Sequence, residues 1–319
     1  MCSMCLCVSK KSMYFKKNLC FTRYAMQVAI YSKVLHPEDA PYVQTLFDAL
    51  HTEGVNTYIF EPYFAQIKDK IVFKRKVAVF NSHLDFRIHR FDYVITLGGD
   101  GTVLDAVTVV RDADVPIMGI NLGRLGFLAG IGKLRIKEAV QMLIRGQFTI
   151  EWRRLLYLES NKPLFNDMRF ALNDFTILKR DTSSMITIHT YLNGAYLNSY
   201  WADGLIVATP TGSSGYSLSC GGPIVFPNSG NFVITPVAPH NLNVRPIVVS
   251  DRSVISFEVE GRTETFLCTL DSRFEQITSD IQLAVRSCDF TTKLVQLHGD
   301  TYLKTLIEKL NWGVDARNH

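Results

Sequence analysis

Cysteine is scarce in the body of this chain. Of seven cysteines in 319 residues, Cys2, Cys5, Cys7 and Cys20 fall within the first 25 positions, leaving only Cys220, Cys268 and Cys288 beyond them. Three scattered thiols build no disulfide framework, so a reducing compartment, the cytoplasm, is expected. Cys2 and Cys5 have the spacing of half a zinc site, but no second half follows, and the eight histidines show no metal-ligand spacing. Long uncharged apolar runs are missing too, which argues against a membrane span, and residues 1–25 lack the apolar core of a signal peptide. Excess charge is slight. The formal balance is +4, but Lys10, Lys11, Lys16, Lys17 and Arg23 all lie in the first 25 residues, leaving 29 basic against 30 acidic residues elsewhere. A nucleic-acid partner gains no support from such a body. No Walker A segment, complete Rossmann fingerprint, repeat or low-complexity stretch occurs, which weakens ordinary P-loop, dehydrogenase and solenoid assignments.

What is present suits a globular protein of one or two domains, with 47% hydrophobic and 20% charged residues. Residues 1–25 read as an extension, either a disordered tail or an upstream start that the cell does not use. From Met26 to Gly126 short apolar strands (Val28–Tyr31, Val55–Phe60, Tyr93–Leu97, Pro116–Ile120) alternate with helical spacing at Glu38–His51 and Val103–Val110. That alternation predicts an α/β domain with a parallel sheet over 26–126. After a helix at Arg135–Arg145 the chain turns rich in β-branched and aromatic runs: Phe148–Glu159, Phe170–Leu178, Ile186–Leu192, Leu205–Ala208, Val254–Val259 and Thr265–Leu270. A mostly antiparallel β domain over 127–300 is expected, with a C-terminal helix in 301–312 folding back on the first domain.

Three motifs carry chemistry. In Thr96-Leu97-Gly98-Gly99-Asp100-Gly101-Thr102 a buried-type strand runs into three glycines around one aspartate, and a helix follows. Strand ends of open α/β sheets bind ligands, glycine admits a phosphate to the backbone, and a helix N-terminus offers it N–H groups. Asp100 at that junction can accept a proton. Read alone, a turn with an aspartate helix cap explains the motif equally well. The second motif, Asp203 to Pro223, leads a strand into Pro210-Thr211-Gly212-Ser213-Ser214, a short small-residue helix and Gly221-Gly222. Its hydroxyls and free N–H groups suit phosphate and ribose recognition better than mere capping. Third, Asn173-Asp174 interrupts an apolar strand; alone it reads as an edge or bulge, although the pair could also face a purine and a ribose diol. His240, after Pro239, reads as a packed loop residue, since no nucleophile pairs with it by sequence.

Taken together these motifs resemble the NAD kinase family, from about Met26 to the C-terminal helix. Gly98–Gly101, Asn121–Leu128, Asn173-Asp174, Asp203–Gly222, Ala238–Leu242 with Arg245-Pro246, and Leu270–Arg273 carry the likeness. The glycine–aspartate turn is shared with lipid kinases and phosphofructokinases, whereas the Asp203–Gly222 signature is far more specific. The resemblance implies phosphoryl transfer to the 2′-hydroxyl of the adenosine ribose of NAD, with Asp100 as proton acceptor and Gly101 beside it. It implies that Asn173, Asp174 and Asp203 hold the dinucleotide, and that Thr211, Ser214, Gly215, Tyr216, Ser217, Leu218 and Ser219 line its pockets. Ser184, Trp201 and Arg273 stand where relatives make peripheral contacts, often across subunits. ATP with a divalent metal ion, Mg²⁺, is the implied donor, polyphosphate the variation on it, and a homodimer or homotetramer the implied assembly. Some positions depart from the common pattern. Asp174 replaces a usual glutamate, Ser214-Gly215 replaces the frequent Thr-Ala, and Trp201 and Ser184 replace basic or imidazole side chains. Two rivals differ in what they require. A lipid or other small-molecule kinase, of the diacylglycerol or sphingosine type, needs no Asp203–Gly222 signature. A silent NAD(H)-binding regulator has no use for Asp100.

Overall fold

A computed structural model describes residues 25–124, 126–180 and 184–312. The extension reading and the Cys2/Cys5 half-site thus lie outside the described residues. The first half runs β1 (Gln27–Tyr31), α1 (Ala40–Thr52), β2 (Asn56–Phe60), α2 (Glu61–Ile67), β3 (Ala78–Phe80), α3 (His83–Ile88), β4 (Tyr93–Gly98), α4 (Asp100–Val110), β5 (Ile117–Asn121), β6 (Ile131–Gly132) and α5 (Ile136–Ile144). The second half runs β7 (Phe148–Ser160), β8 (Phe170–Ala171), β9 (Asp174–Lys179), β10 (Ile186–Leu192), β11 (Ala195–Ala202), β12 (Gly204–Ala208), α6 (Tyr216–Ser219), β13 (Asn231–Val237), β14 (Ile247–Ser250), β15 (Ile255–Glu260), β16 (Thr265–Leu270), β17 (Arg273–Thr278), β18 (Leu283–Leu297) and α7 (Tyr302–Leu310).

The expected fold class is what forms: a parallel α/β half and a mostly antiparallel β half. Strands β3, β2, β1, β4 and β5 lie side by side, all parallel. Covered on both faces, β1, β4 and β5 are almost wholly buried, which explains their continuous apolar character. Sheet continuity differs from the sequence reading. The 15-residue β18 pairs antiparallel with β7 and β15 and, through Leu294 opposite Ile117, parallel with β5. One 12-stranded sheet therefore crosses both halves. Packing crosses residue 126 as well: Ile136, Ala139, Val140 and Leu143 share a core with Val28, Ile30, Val43 and Leu46.

A second, six-stranded antiparallel sheet, ordered β14-β13-β12-β9-β16-β17, packs on the β10–β15 wing of the first. Period-two alternation decides its faces. Phe175, Ile177, Leu205 and Val207 point into the inter-sheet core. Asp174, Thr176, Ile206 and Ala208 therefore point outward, where Cys220 and Val225 of the Asp203–Pro223 signature and its continuation cover Ile206 and Ala208. Among the described residues no helix is long and apolar enough to cross a membrane.

Candidate functional site

Chain growth in the parallel sheet reverses between neighbouring β1 and β4, and a crevice opens at their C-terminal ends. Ser32 donates its hydroxyl proton to the Leu97 carbonyl at 2.6 Å, tying the two ends together. The resulting cavity, about 620 Å³, is lined by Lys33, Gly98, Gly99, Asn121, Arg124 and Lys133. Gly98 has φ +152°, and a Cβ there would sit 3.0 Å from that of Thr102, so only glycine suits the position. Gly99 and Gly101 face open space and leave backbone bare. Helix α4 begins at Asp100, next to the Gly98-Gly99 lining of this cavity, whose lysines Lys33 and Lys133 are each paired with a carboxylate, Asp105 at 2.6 Å and Asp39 at 3.2 Å.

Asp100 is held by a different segment. Its Oδ2 accepts the Phe127 N–H at 2.8 Å, and its Oδ1 accepts those of Leu128 and Ala129 at 2.9 Å each. That loop is pressed onto β5: a Cβ on Gly119 would stand 2.7 Å from the Leu128 carbonyl oxygen. Gly126 likewise leaves room for the carboxylate, since a Cβ there would sit 2.5 Å from its Cγ. A carboxylate has about four acceptor directions, so three occupied ones leave one on Oδ2 for a hydroxyl. The end of the Asn121–Leu128 segment thus supplies two of the three donors that fix Asp100, and Ala129 just after it supplies the third. No side-chain pattern could reveal this, because the donors are backbone.

The second cluster lies on the outer face of the six-stranded sheet. The strand expected over Phe170–Leu178 breaks at Leu172-Asn173 into β8 and β9. Thr209 fills the break, donating its N–H to the Asn173 carbonyl at 2.8 Å and its hydroxyl to that of Leu172 at 2.5 Å. Gly212 packs on Asn173 so tightly that a Cβ would come within 2.7 Å of its Cα. The Asn173 side-chain oxygen is buried without a partner, and a buried acceptor of that kind is costly unless a ligand satisfies it. Asp174 is buried beside it, and Thr211 is buried against Arg153, whose guanidinium donates to it at 3.4 Å. Ser214 closes a single turn by donating to the Thr211 carbonyl, and Ser217 shares a 2.8 Å hydrogen bond with Thr235. Gly215, Tyr216, Leu218 and Ser219 continue this turn and α6. Burial pushes the Tyr216 hydroxyl up, and Cys220, Asp174 and Asp203 push it further. Those carboxylates therefore lie within electrostatic reach of Tyr216. Asp203 pairs with Lys179 at 2.6 Å.

Residues named as peripheral are dispersed. Ser184 precedes β10; Trp201, half-exposed on β11, stacks with His240 at a ring separation of 4.2 Å. Arg273 turns inward, donating to the Met168 and Phe170 carbonyls instead of facing solvent. Sequence reasoning did not find Tyr302 of α7, whose ring meets Phe127 at 6.2 Å and Phe226 at 5.3 Å, with the Arg153 guanidinium 5.9 Å from its centre. The helix thereby touches both the loop that holds Asp100 and the arginine that holds Thr211.

Burial, reinforced by the nearby Asp271 carboxylate, pushes Asp174 up to about 7. A folded-state value above the unfolded one means that the folded chain binds more protons across the interval between them. Stability contributed by the neutral carboxyl is full below the unfolded value and is lost as pH rises through about 7. Asp174→Asn should therefore gain on the wild type by roughly 2 kcal/mol between pH 5 and pH 8. Urea melts at the two pH values measure it, and a pH-independent gap would show that Asp174 is ionised throughout.

Residues 29–148 match the model of the ATP-NAD kinase N-terminal domain, and residues 172–297 that of the ATP-NAD kinase C-terminal domain. The NAD kinase of Cytophaga hutchinsonii is 47% identical over 92% of this chain and the whole of the relative, and that of Flavobacterium johnsoniae 44% identical over the same shares. Among solved structures, a yeast NADH kinase complexed with NADH is 24% identical, with a TM-score of 0.82 over 92% of this chain and 90% of its own. An Archaeoglobus fulgidus NAD kinase in complex with ATP is 23% identical, with a TM-score of 0.68 over 90% and 99%. With both domain models matched in order and relatives of this identity covered end to end, the chain belongs to the NAD kinase family.

Proposed function

We propose that this enzyme transfers the terminal phosphoryl group of ATP to the 2′-hydroxyl of the adenosine ribose of NAD, giving NADP, with Asp100 as general base. The observation that carries the assignment of the base is the Asp100 carboxylate itself, held by three backbone N–H groups, next in the chain to the Gly98-Gly99 lining of the crevice, with one acceptor direction to spare. Phosphoryl transfer needs in-line alignment and charge neutralisation more than covalent help. Bare backbone at Gly99 and Gly101, the N-terminus of α4 and the cations Lys33, Arg124 and Lys133 suit a polyphosphate tail. Asn173, Asp174 and Asp203 hold the dinucleotide, and the unpartnered Asn173 oxygen is the acceptor an adenine or ribose donor would satisfy. Thr211, Ser214, Gly215, Tyr216, Ser217, Leu218 and Ser219 shape its pocket. Ser184 and Trp201 approach the ligand from outside, Trp201 across a subunit contact in a homodimer or homotetramer.

Among the described residues no cluster of three or more His, Cys, Asp or Glu side chains forms a cation cage. Mg²⁺ would enter on the phosphates with its waters, since it is commonly bound through substrate oxygens rather than by an all-protein cage, and Asp100 keeps its one open direction for the ribose hydroxyl. When bound, Mg²⁺ neutralises charge on the transferred group. The free thiols of Cys220, Cys268 and Cys288 support a reducing, cytoplasmic setting.

Purified protein incubated with NAD, ATP and Mg²⁺ should accumulate NADP, detected with an NADP-specific dehydrogenase. ATP replaced by polyphosphate, and NAD by NADH, define donor and acceptor choice. Tight NAD binding without turnover under every combination would favour the regulator reading, and label transfer from ATP into lipid alone the lipid kinase.

A further inference from the structure

The hairpin turn between β16 and β17, within the Leu270–Arg273 segment, grips the strand that carries Asn173 and Asp174. Asp271 adopts φ +53° at the turn, in the left-handed region that aspartate tolerates better than most residues. From there its Oδ1 accepts the N–H of Asn173 at 2.7 Å and that of Asp174 at 3.2 Å, while its Oδ2 accepts the N–H of Leu172 at 3.0 Å. Its own N–H donates to the Asp174 carbonyl at 3.0 Å. Two residues on, the Arg273 guanidinium donates to the carbonyls of Met168 and Phe170 and lies 5.6 Å from the centre of the Phe170 ring. Backbone groups from Met168 to Asp174 are thus taken by side chains of one turn.

The reason for this arrangement is the break between β8 and β9. An intact strand would spend these N–H groups on a sheet ladder and would fix Asn173 by sheet register. Where the strand breaks, the N–H groups of Leu172 and Asn173 need other partners, and a carboxylate accepting several N–H groups supplies stronger bonds than neutral acceptors would. At this break the Asn173 side-chain oxygen is buried and unpaired. Burial without such donors would make an ionised Asp271 untenable; burial pushes its carboxyl up while the three N–H groups pull it down.

We propose that Asp271 and Arg273 are positioning residues for the NAD acceptor: they set Asn173 and Asp174 without touching the ligand. The inference rests on the NAD kinase reading and reassigns Arg273 from a peripheral ligand contact to a fixture of the strand. Asp271→Asn keeps the size of the side chain but turns an amide NH₂ toward N–H donors, so part of the clamp opens. The expected result is a rise of about ten-fold or more in KM for NAD, with KM for ATP unchanged, since charged hydrogen bonds are each worth about that factor. Arg273→Lys, which keeps the charge but loses the fork across two carbonyls, should do the same to a smaller degree.

The test is initial-rate kinetics in both substrates, with NAD binding by calorimetry and a thermal melt on each variant. Wild type that makes no NADP would sink the functional reading, whatever the variants do. Wild-type turnover with a lowered melting temperature in Asp271→Asn, yet unchanged KM and affinity for NAD, would overturn the positioning role and leave a structural one. If Asp271→Asn does not fold, Arg273→Lys decides: a selective rise in KM for NAD supports the clamp, and an unchanged or equally raised pair of KM values overturns it.

Discussion

Asp100→Asn should retain the fold and both substrate affinities but lose about 10²–10⁴-fold in kcat, the usual value of a positioned general base. The variant is close to isosteric: its amide oxygen turned toward Leu128 and Ala129 keeps two of the three backbone donors, and only the Phe127 N–H loses its acceptor. What disappears is an acceptor for the ribose proton. The comparison therefore isolates proton transfer from nucleotide binding, provided that kcat and KM are measured separately. A loss confined to KM for NAD would mean that Asp100 only binds the hydroxyl.

Gly126→Ala offers a second route to the same group. The new methyl overlaps the Asp100 carboxylate, and either the loop or the carboxylate must move. Expelling the carboxylate breaks three hydrogen bonds without altering its chemistry. The expected outcome is a drop in kcat on the order of 10²-fold, the effect typical of misplacing a catalytic group by about 1 Å.

Much of this was legible in the sequence, for physical reasons. Buried parallel strands such as Tyr93–Gly98 carry unbroken apolar runs, so periodicity and the glycines after them locate the crevice. The helix at Tyr302–Leu310 announces itself by amphipathic spacing. Strand β18 went unread although it joins the two halves. Its register shifts between Ser287 and Thr291, so the inward face changes along its length and simple alternation fails. The break at Leu172-Asn173 was hidden for a related reason. Phe170 to Leu178 reads as one strand, and only the turn at Asp271, about a hundred residues later, supplies the partners that let it part. Local pattern cannot announce a hydrogen bond that depends on distant backbone. Asn173 and Asp174 were singled out because two polar residues interrupt an apolar run; the carboxylate that holds them was not.

Gly212→Ala should be the most damaging single methyl in the second signature. The turn Pro210–Ser214 lies directly on the Asn173 backbone, and a Cβ at 212 would overlap the carbonyl carbon, carbonyl oxygen and Cα of Asn173. No flexible side chain is available to yield; all three atoms are main chain. The Asn173 carbonyl is held by the Thr209 N–H, and the Asn173 N–H by the Asp271 carboxylate. Overpacking typically costs about 1–3 kcal/mol, and here relief requires the Pro210–Ser214 turn to part from Asn173. The expected result is a melting temperature lowered by several degrees together with NAD affinity reduced at least about ten-fold, the factor that 1.4 kcal/mol of lost binding represents. ATP affinity should hold, because Gly98–Gly101 and their crevice lie at strand ends of the other sheet. Calorimetric titration of each nucleotide into the variant separates the outcomes. Equal loss of both affinities would mean that the fold has loosened globally, and unchanged NAD affinity would remove the Thr209–Gly212 turn from the acceptor site.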